Sequence, residues 1–134
     1  THSGNPLSCA AGIATLDEIT RLGLVNQASK KGKLMFKYLE EIMNENSDII
    51  SHVTGKGLIA ALIFKKMNGF KASQLATKVC MLCKSKGLLL VNTNRDSIKL
   101  GPPLTISEND IKISMQLLKK SIKVIKVNYG NKKY

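Results

Sequence analysis

Few residues in the chain have the types and spacing that a catalytic or metal-binding site requires. Cys80 and Cys83 form a Cys-x-x-Cys pair, the one pattern here that is typical of a metal or redox site. The pair falls inside an amphipathic helical pattern and not at a helix start, so we interpret both as small, partly buried helix residues. His2 and His52 lack metal-ligand spacing, and we therefore predict no metal site.

Two glycine-containing segments could bind an anion. Gly55-Lys56-Gly57 lacks the rest of a phosphate-binding loop and no helical pattern follows it, so we interpret it as a tight bend between strands. The segment Thr1-His2-Ser3-Gly4-Asn5-Pro6 is rich in hydroxyl groups and leads directly into a predicted helix N-terminus, where backbone N–H groups attract anions. An ordinary capped turn is the alternative, and it is the more frequent outcome. The nine carboxylates lie mainly on polar helix faces, so the residues alone reveal no complete active site.

Composition places the chain among globular proteins. It has 134 residues, of which 43% are hydrophobic, enough for one domain or part of one. No apolar run approaches the ~18 residues that a membrane-spanning helix needs, so we predict no membrane segment. An odd count of three cysteines without a signal-peptide pattern favours reduced thiols and an intracellular location, in the cytoplasm or an organellar matrix.

The net charge of +12 raises the question of an anionic partner. Of the 21 basic residues 19 are lysine, whereas base readout favours arginine, and the aromatic fraction of 4% leaves few stacking platforms. We therefore predict no nucleic-acid partner. Heavy use of Lys, Asn and Ile explains the charge as a general compositional bias.

Hydrophobic spacing predicts four helices and four short strands. The helices are expected from Pro6 to Gly23, over about 24–45, from Ala72 to Gly87, and behind a capping box formed by Ser107 and Asp110. The strands are expected over 48–54, 58–64, 88–91 and 97–100, with a polar turn over 92–96. This order predicts an α+β fold, a small antiparallel sheet with helices on one face.

Three motifs resemble class III pyridoxal-phosphate aminotransferases. The first is Thr1-His-Ser-Gly-Asn-Pro-Leu-Ser-Cys-Ala-Ala11, similar to the family's T-x-G/S-G-N-P-L-A/S-C-A-A. The second is His52-Val-Thr-Gly-Lys-Gly-Leu58, similar to V-R-G-K-G-L. The third is Gly87-Leu-Leu-Leu with Ile98-Lys-Leu-Gly-Pro-Pro-Leu-Thr-Ile106, similar to G-L-L with I-R-L-x-P-P-L-T-I. Their order and spacing agree with the family over nearly the whole chain. The family includes acetylornithine, ornithine and 4-aminobutyrate aminotransferases.

The resemblance implies that the chain is the C-terminal portion of a fold-type I enzyme. Residues 1–23 would be the end of the large cofactor domain and the start of a long connecting helix, and residues 24–134 the small C-terminal domain. The Schiff-base lysine would lie upstream of Thr1, so the chain by itself is expected to be inactive. Thr1 would contact the phosphate of pyridoxal 5'-phosphate bound to the partner subunit of a homodimer.

Two residues depart from the family pattern. Thr54 stands where most members carry arginine, and Lys99 stands where the acetylornithine and ornithine members carry a carboxylate-binding arginine. Lys99 can attract a substrate carboxylate as a point charge but not as a two-donor fork. A solvated strand residue is the equally weighted alternative for Lys99.

Two functions therefore compete. The first is an aminotransferase that moves an amino group from an amino acid, such as ornithine, acetylornithine or another ω-amino acid, to a 2-oxo acid. The second is a free-standing basic α+β module that binds an anionic partner, with an affinity that falls steeply as salt rises.

Overall fold

The computed structural model describes residues 3–92 and 94–130. Within these ranges all four predicted helices are present, together with three strands. In chain order the elements are α1 (Pro6–Arg21), α2 (Leu24–Glu45), β1 (Ile50–Lys56), β2 (Ile59–Phe64), α3 (Ala72–Ser85), β3 (Ser97–Leu100) and α4 (Glu108–Gly130). None of the helices in the described ranges is long and apolar enough to cross a membrane.

The three strands form one antiparallel sheet in the order β1-β2-β3. Helices α2 and α3 pack on one face of this sheet, and α4 packs against both of them. Alternation along β2 sends Ala60, Leu62 and Phe64 into the core, where they meet the buried apolar side chains of the helices. The predicted α+β fold with helices on one face of an antiparallel sheet is confirmed.

A two-residue turn joins β1 to β2 and supports α2. Lys56 pairs with Ile59, so Gly57 and Leu58 form the turn, and Gly57 has a φ of +60° that glycine adopts without strain. Helix α2 crosses directly over this turn at Gly32. A Cβ at Gly32 would lie 2.4 Å from the carbonyl oxygen of Gly57 and 2.5 Å from its Cα. The predicted bend between the two strands is present but lies at Gly57 and Leu58, since Gly55 and Lys56 are paired residues of β1. Helix α2 contacts this turn backbone to backbone.

Specific caps begin and end the helices that flank the third motif. Ser107 Oγ accepts a hydrogen bond from the Asp110 N–H at 3.0 Å, which confirms the N-cap half of the predicted capping box. The Asp110 carboxylate accepts from the Ser107 hydroxyl at 2.7 Å. At the end of α3, Gly87 has a φ of +86° and donates to the Lys84 carbonyl, while the Leu88 N–H reaches back to the Cys83 carbonyl. This is the hydrogen-bond pattern of a Schellman motif.

The predicted strand over 88–91 is wrong. The Leu88 N–H is committed to the cap of α3 and is not available to a strand ladder. Val91 alone pairs with β3, through an isolated bridge to Lys99. An apolar run of this length fits the pattern of a strand, but its first residue, Leu88, is part of the cap that ends α3.

Helix α1 contains no buried residue, and its neighbour among the described elements is α2. Leu7 is 80% exposed, and Ile13 and Leu16 are also exposed. Exposed apolar side chains along one helix are typical of a surface that packs against further polypeptide.

Part of the positive charge is neutralised between α2 and α4. Lys119 lies 2.5 Å and Lys123 lies 3.3 Å from the Glu45 carboxylate, and Lys126 lies 2.8 Å from Asp48. The hydrogen bond from Lys119 is the main cause that lowers the pKa of Glu45. These lysines are therefore engaged within the fold.

Candidate functional site

The second face of the sheet is left uncovered by the described helices. On this face Thr54, Ala61 and Lys99 lie directly opposite one another on β1, β2 and β3, and Val91 extends the line beyond Lys99. We call these four residues the outer row. Residues directly opposite in neighbouring strands point to the same side, so the four side chains share one surface.

Lys99 is an exposed cation with exposed apolar side chains beside it on this surface, which also carries Lys56 opposite Ile59. Val91 beside it is 56% exposed, and Ile59, two residues before Ala61 on the same face, is 73% exposed. Within residues 3–92 and 94–130, no carboxylate oxygen lies within 4 Å of the Lys99 ammonium, in contrast to the paired lysines of α4. An ammonium without a carboxylate partner beside apolar side chains is suited to bind a carboxylate from outside.

The backbone of Lys99 is held from both sides. It pairs with Ala61 of β2 on one side. On the other, its N–H donates to the Val91 carbonyl at 2.8 Å and its carbonyl accepts from the Val91 N–H at 3.3 Å. The position of the cation therefore depends on β3 and on the segment that precedes it.

The outer row also unites the two residues that depart from the family pattern. Thr54 and Lys99 each face Ala61, so one strand separates them, and two strand spacings place their Cα atoms roughly 10 Å apart. Sequence reasoning treated these departures as separate, since about 40 residues of chain lie between them. Their shared row depends on strand register, which no short motif encodes.

An apolar cavity of about 300 Å³ lies next to this surface. Its walls come from the segment 88–91, the end of β3 and the start of α4, and they are mostly apolar. Lys99 is the one charged residue among those that line it.

The turn before α1 is capped by a side chain. Asn5 Oδ1 accepts hydrogen bonds from the N–H groups of Leu7 at 3.0 Å and Ser8 at 3.2 Å, and Pro6 has no N–H. The backbone N–H groups of the first turn are thus already hydrogen-bonded. This is the ordinary capped turn, the alternative to an anion site at this helix end. Gly4 has a φ of +73° and open space around its Cβ position, so the turn is accessible from solvent. Thr1, the predicted phosphate contact, lies outside the described residues.

Cys80 and Cys83 occupy the second half of α3 and not its N-terminus. Cys83 is buried and Cys80 half-buried. Burial, together with the neighbouring Cys83 thiol, raises the pKa of Cys80 to about 11. This environment opposes the thiolate that redox chemistry and metal binding require, and it supports the interpretation of the pair as helix packing residues.

Alkylation by iodoacetamide at pH 8 should distinguish the cysteines. Because a thiol with a pKa of about 11 is thiolate in roughly one molecule in a thousand at pH 8, Cys80 should react far more slowly than the exposed Cys9. The Cys80 rate should rise about tenfold per pH unit below its pKa. Peptide mapping of the labelled 134-residue chain measures both rates. Equal rates at Cys9 and Cys80 would contradict the packing interpretation.

Comparisons with known proteins agree with the fold and the motifs. The family model "Aminotransferase class-III" matches residues 1–122. The chain is 39% identical to ornithine aminotransferase of Emericella nidulans over 91% of its own length and 26% of that relative's. It is 36% identical to the mitochondrial ornithine aminotransferase of Rattus norvegicus, again over 91% of the chain and 26% of the relative.

A solved structure of an aminotransferase has the same fold over most of this chain. The acetylornithine aminotransferase from Elizabethkingia anophelis superimposes with a TM-score of 0.81 at 32% identity, over 90% of this chain and 29% of that one. The chain thus spans about a quarter of the length of the curated relatives that it matches. Because the family model covers residues 1–122 of 134, the chain belongs to the class III aminotransferase family.

Proposed function

We propose that this chain is the C-terminal part of a pyridoxal-phosphate-dependent aminotransferase. The enzyme would transfer an amino group from ornithine, acetylornithine or another ω-amino acid to a 2-oxo acid. The observation that carries this proposal is the match of the class III family model to residues 1–122, with relatives named ornithine and acetylornithine aminotransferases.

Lys99 is the proposed substrate-binding residue of this chain. Its ammonium is exposed, carries no carboxylate partner within the described ranges, and lies in a row whose other side chains are uncharged. Amino acids and 2-oxo acids both carry a carboxylate, and a lysine binds it as a flexible point charge. An arginine would hold the same group more rigidly, so a lysine here favours a looser, less orientation-specific carboxylate site.

Pyridoxal 5'-phosphate is the proposed cofactor, and Thr1 is the proposed contact to its phosphate across a homodimer interface. The described residues that follow it in sequence support such a role, since Ser3, Gly4 and Asn5 are exposed and the space beside Gly4 is open. The cofactor supplies an electron sink for the carbon that bears the amino group. The Schiff-base lysine would lie upstream, so the 134-residue chain alone should be inactive.

The proposed domain division places residues 1–23 at the end of the large domain and the start of the connecting helix, and 24–134 in the small domain. The exposed apolar side chains of α1 support this division, because the described residues 24–92 and 94–130 leave them uncovered. We place the protein inside the cell, in the cytoplasm or an organellar matrix, and the name of the rat relative specifies the mitochondrion for that protein.

The test is an amino-transfer assay on the full-length protein with ornithine, acetylornithine and 4-aminobutyrate as donors and 2-oxoglutarate as acceptor. Activity that depends on added pyridoxal phosphate supports the proposal, and the 134-residue chain serves as the inactive control. Absence of cofactor binding and transfer, together with salt-dependent nucleic-acid binding, would favour the basic-module alternative.

Replacement of Thr1 by alanine in the full-length protein is expected to weaken cofactor retention. The lost hydroxyl would remove one hydrogen bond to a charged phosphate, a contact worth about 1.5–3 kcal/mol, or roughly a tenfold or greater rise in the dissociation constant. Equilibrium dialysis followed by cofactor absorbance measures this. Thr1→Ser keeps the hydroxyl and should retain the cofactor, and an unchanged affinity in Thr1→Ala would contradict the assigned contact.

A further inference from the structure

The side chain of Asn92 makes four hydrogen bonds, the full capacity of a carboxamide. Its Oδ1 accepts from Thr77 Oγ1 at 3.0 Å and from the Asn94 N–H at 3.1 Å. Its Nδ2 donates to the carbonyls of Ser97 at 2.8 Å and Arg95 at 3.2 Å. One side chain therefore ties together α3, the turn 92–96 and the start of β3.

The bond to Ser97 fixes the start of β3. Val91 and Lys99 exchange both of their backbone hydrogen bonds, so Val91 holds β3 at Lys99. Two residues earlier on β3, the Ser97 carbonyl accepts from the Asn92 side chain. Asn92 and its neighbour Val91 therefore hold β3 at both Ser97 and Lys99.

The remaining bonds fix the turn itself. The contact from the Asn94 N–H to Asn92 Oδ1 is an Asx turn, and it accompanies a positive φ of 56° at Asn94. Thr77 lies in the middle of α3, which packs on the sheet, so the bond from Thr77 fastens the turn to the core layer.

We propose that Asn92 is a positioning residue for Lys99. It holds Asn94 and Arg95 by hydrogen bonds, and through the Val91 bridge and the Ser97 carbonyl it fixes β3 at the point where the ammonium must meet a carboxylate. Lys99 itself touches the substrate, and Asn92 acts through it. This inference rests on the proposed function, in which Lys99 binds the substrate carboxylate.

The experiment compares Asn92→Ala with the wild type in the full-length protein. Hydrogen exchange at the Lys99 amide should become at least about tenfold faster, because the bridge to Val91 loses its support. The KM for the carboxylate substrate should rise about three- to tenfold with kcat within about twofold, because the lysine is misplaced while the reacting groups are intact. Thr77→Val removes the tie from Asn92 to α3, together with the bond from the same hydroxyl to the Ser73 carbonyl within α3, and should produce a smaller change in the same direction.

Asn46→Ala is the matched control. The Asn46 side chain is buried and its Nδ2 donates to the Ile42 carbonyl at 2.8 Å, so the same substitution removes a structural hydrogen bond at the end of α2. It should lower stability yet leave both the Lys99 exchange rate and the KM unchanged. The positioning role would be overturned if the exchange rate of the Lys99 amide and the KM were unchanged in both Asn92→Ala and Thr77→Val. It would also be overturned if Asn46→Ala raised the KM as much as Asn92→Ala does. An unchanged KM in Lys99→Ala would instead reject the proposed role of Lys99, since the exchange rate measures the effect of Asn92 independently.

Discussion

Replacing Gly32 with alanine is expected to destabilise the 134-residue chain by about 1–3 kcal/mol, the usual cost of overpacking. Alanine ordinarily stabilises a helix interior by about 0.5–1 kcal/mol relative to glycine. At Gly32 the new methyl carbon would lie 2.4–2.5 Å from backbone atoms of Gly57, so the helix or the hairpin turn must move. Backbone cannot yield as a flexible side chain can, and the clash should outweigh the gain in helix propensity.

Gly12→Ala is the matched control for this prediction. Gly12 lies inside α1, and a Cβ there would meet nothing within 4 Å. The same substitution should therefore be neutral or stabilising by up to about 1 kcal/mol. Equilibrium urea unfolding of both variants gives the two free energies. If both substitutions stabilised the chain, α2 would not rest on the turn as described.

Lys99→Ala in the full-length protein is expected to raise the KM for the carboxylate substrate by roughly tenfold or more. A hydrogen bond to a charged group contributes about 1.5–3 kcal/mol, and each 1.4 kcal/mol is a factor of ten. The cation has no carboxylate partner in the described ranges, so its removal breaks no ion pair seen there and should leave the fold intact. Steady-state kinetics with each carboxylate substrate measures the change.

Two variants make this result specific. Lys56 is an exposed lysine at the end of β1, paired with Ile59 and outside the outer row, so Lys56→Ala should leave the KM unchanged. Lys99→Arg restores the charge together with a planar fork and should keep the KM at or below its wild-type value. A rise in KM for Lys56→Ala equal to that for Lys99→Ala would indicate a diffuse electrostatic effect and contradict a specific contact.

Most of the fold follows from patterns that are local in sequence. Apolar spacing places all four helices, and the Ser107–Asp110 box marks the start of α4 because its hydrogen bonds span only three residues. The segment 88–91 is the exception. Its composition fits a strand, yet the Schellman cap of α3 uses the Leu88 N–H, so one local signal, the helix cap, overrides another, the apolar strand pattern.

The candidate site is less accessible to sequence reasoning. The resemblance points to Lys99 and Thr54 as single positions, but the outer row exists only once strand register sets both against Ala61. Asn92 is part of a polar turn that the sequence does predict. Its four hydrogen bonds depend on partners in α3 and β3, and the one local signal is the Asx turn to Asn94.

The three-stranded sheet has two edges, and each is built in a way that discourages pairing with another chain. Strand β1 carries a register irregularity between Ile50 and His52 and ends in Lys56. Strand β3 is only four residues long, its outer edge is covered at Lys99 by the bridge to Val91, and the Lys99 side chain is exposed. Bulges, short edge strands and lysines are features by which natural sheets resist edge-to-edge aggregation. The charge that we propose binds a substrate carboxylate thus also helps to keep this side of the sheet from recruiting foreign strands, so we expect the residue at position 99 to affect solubility as well as binding.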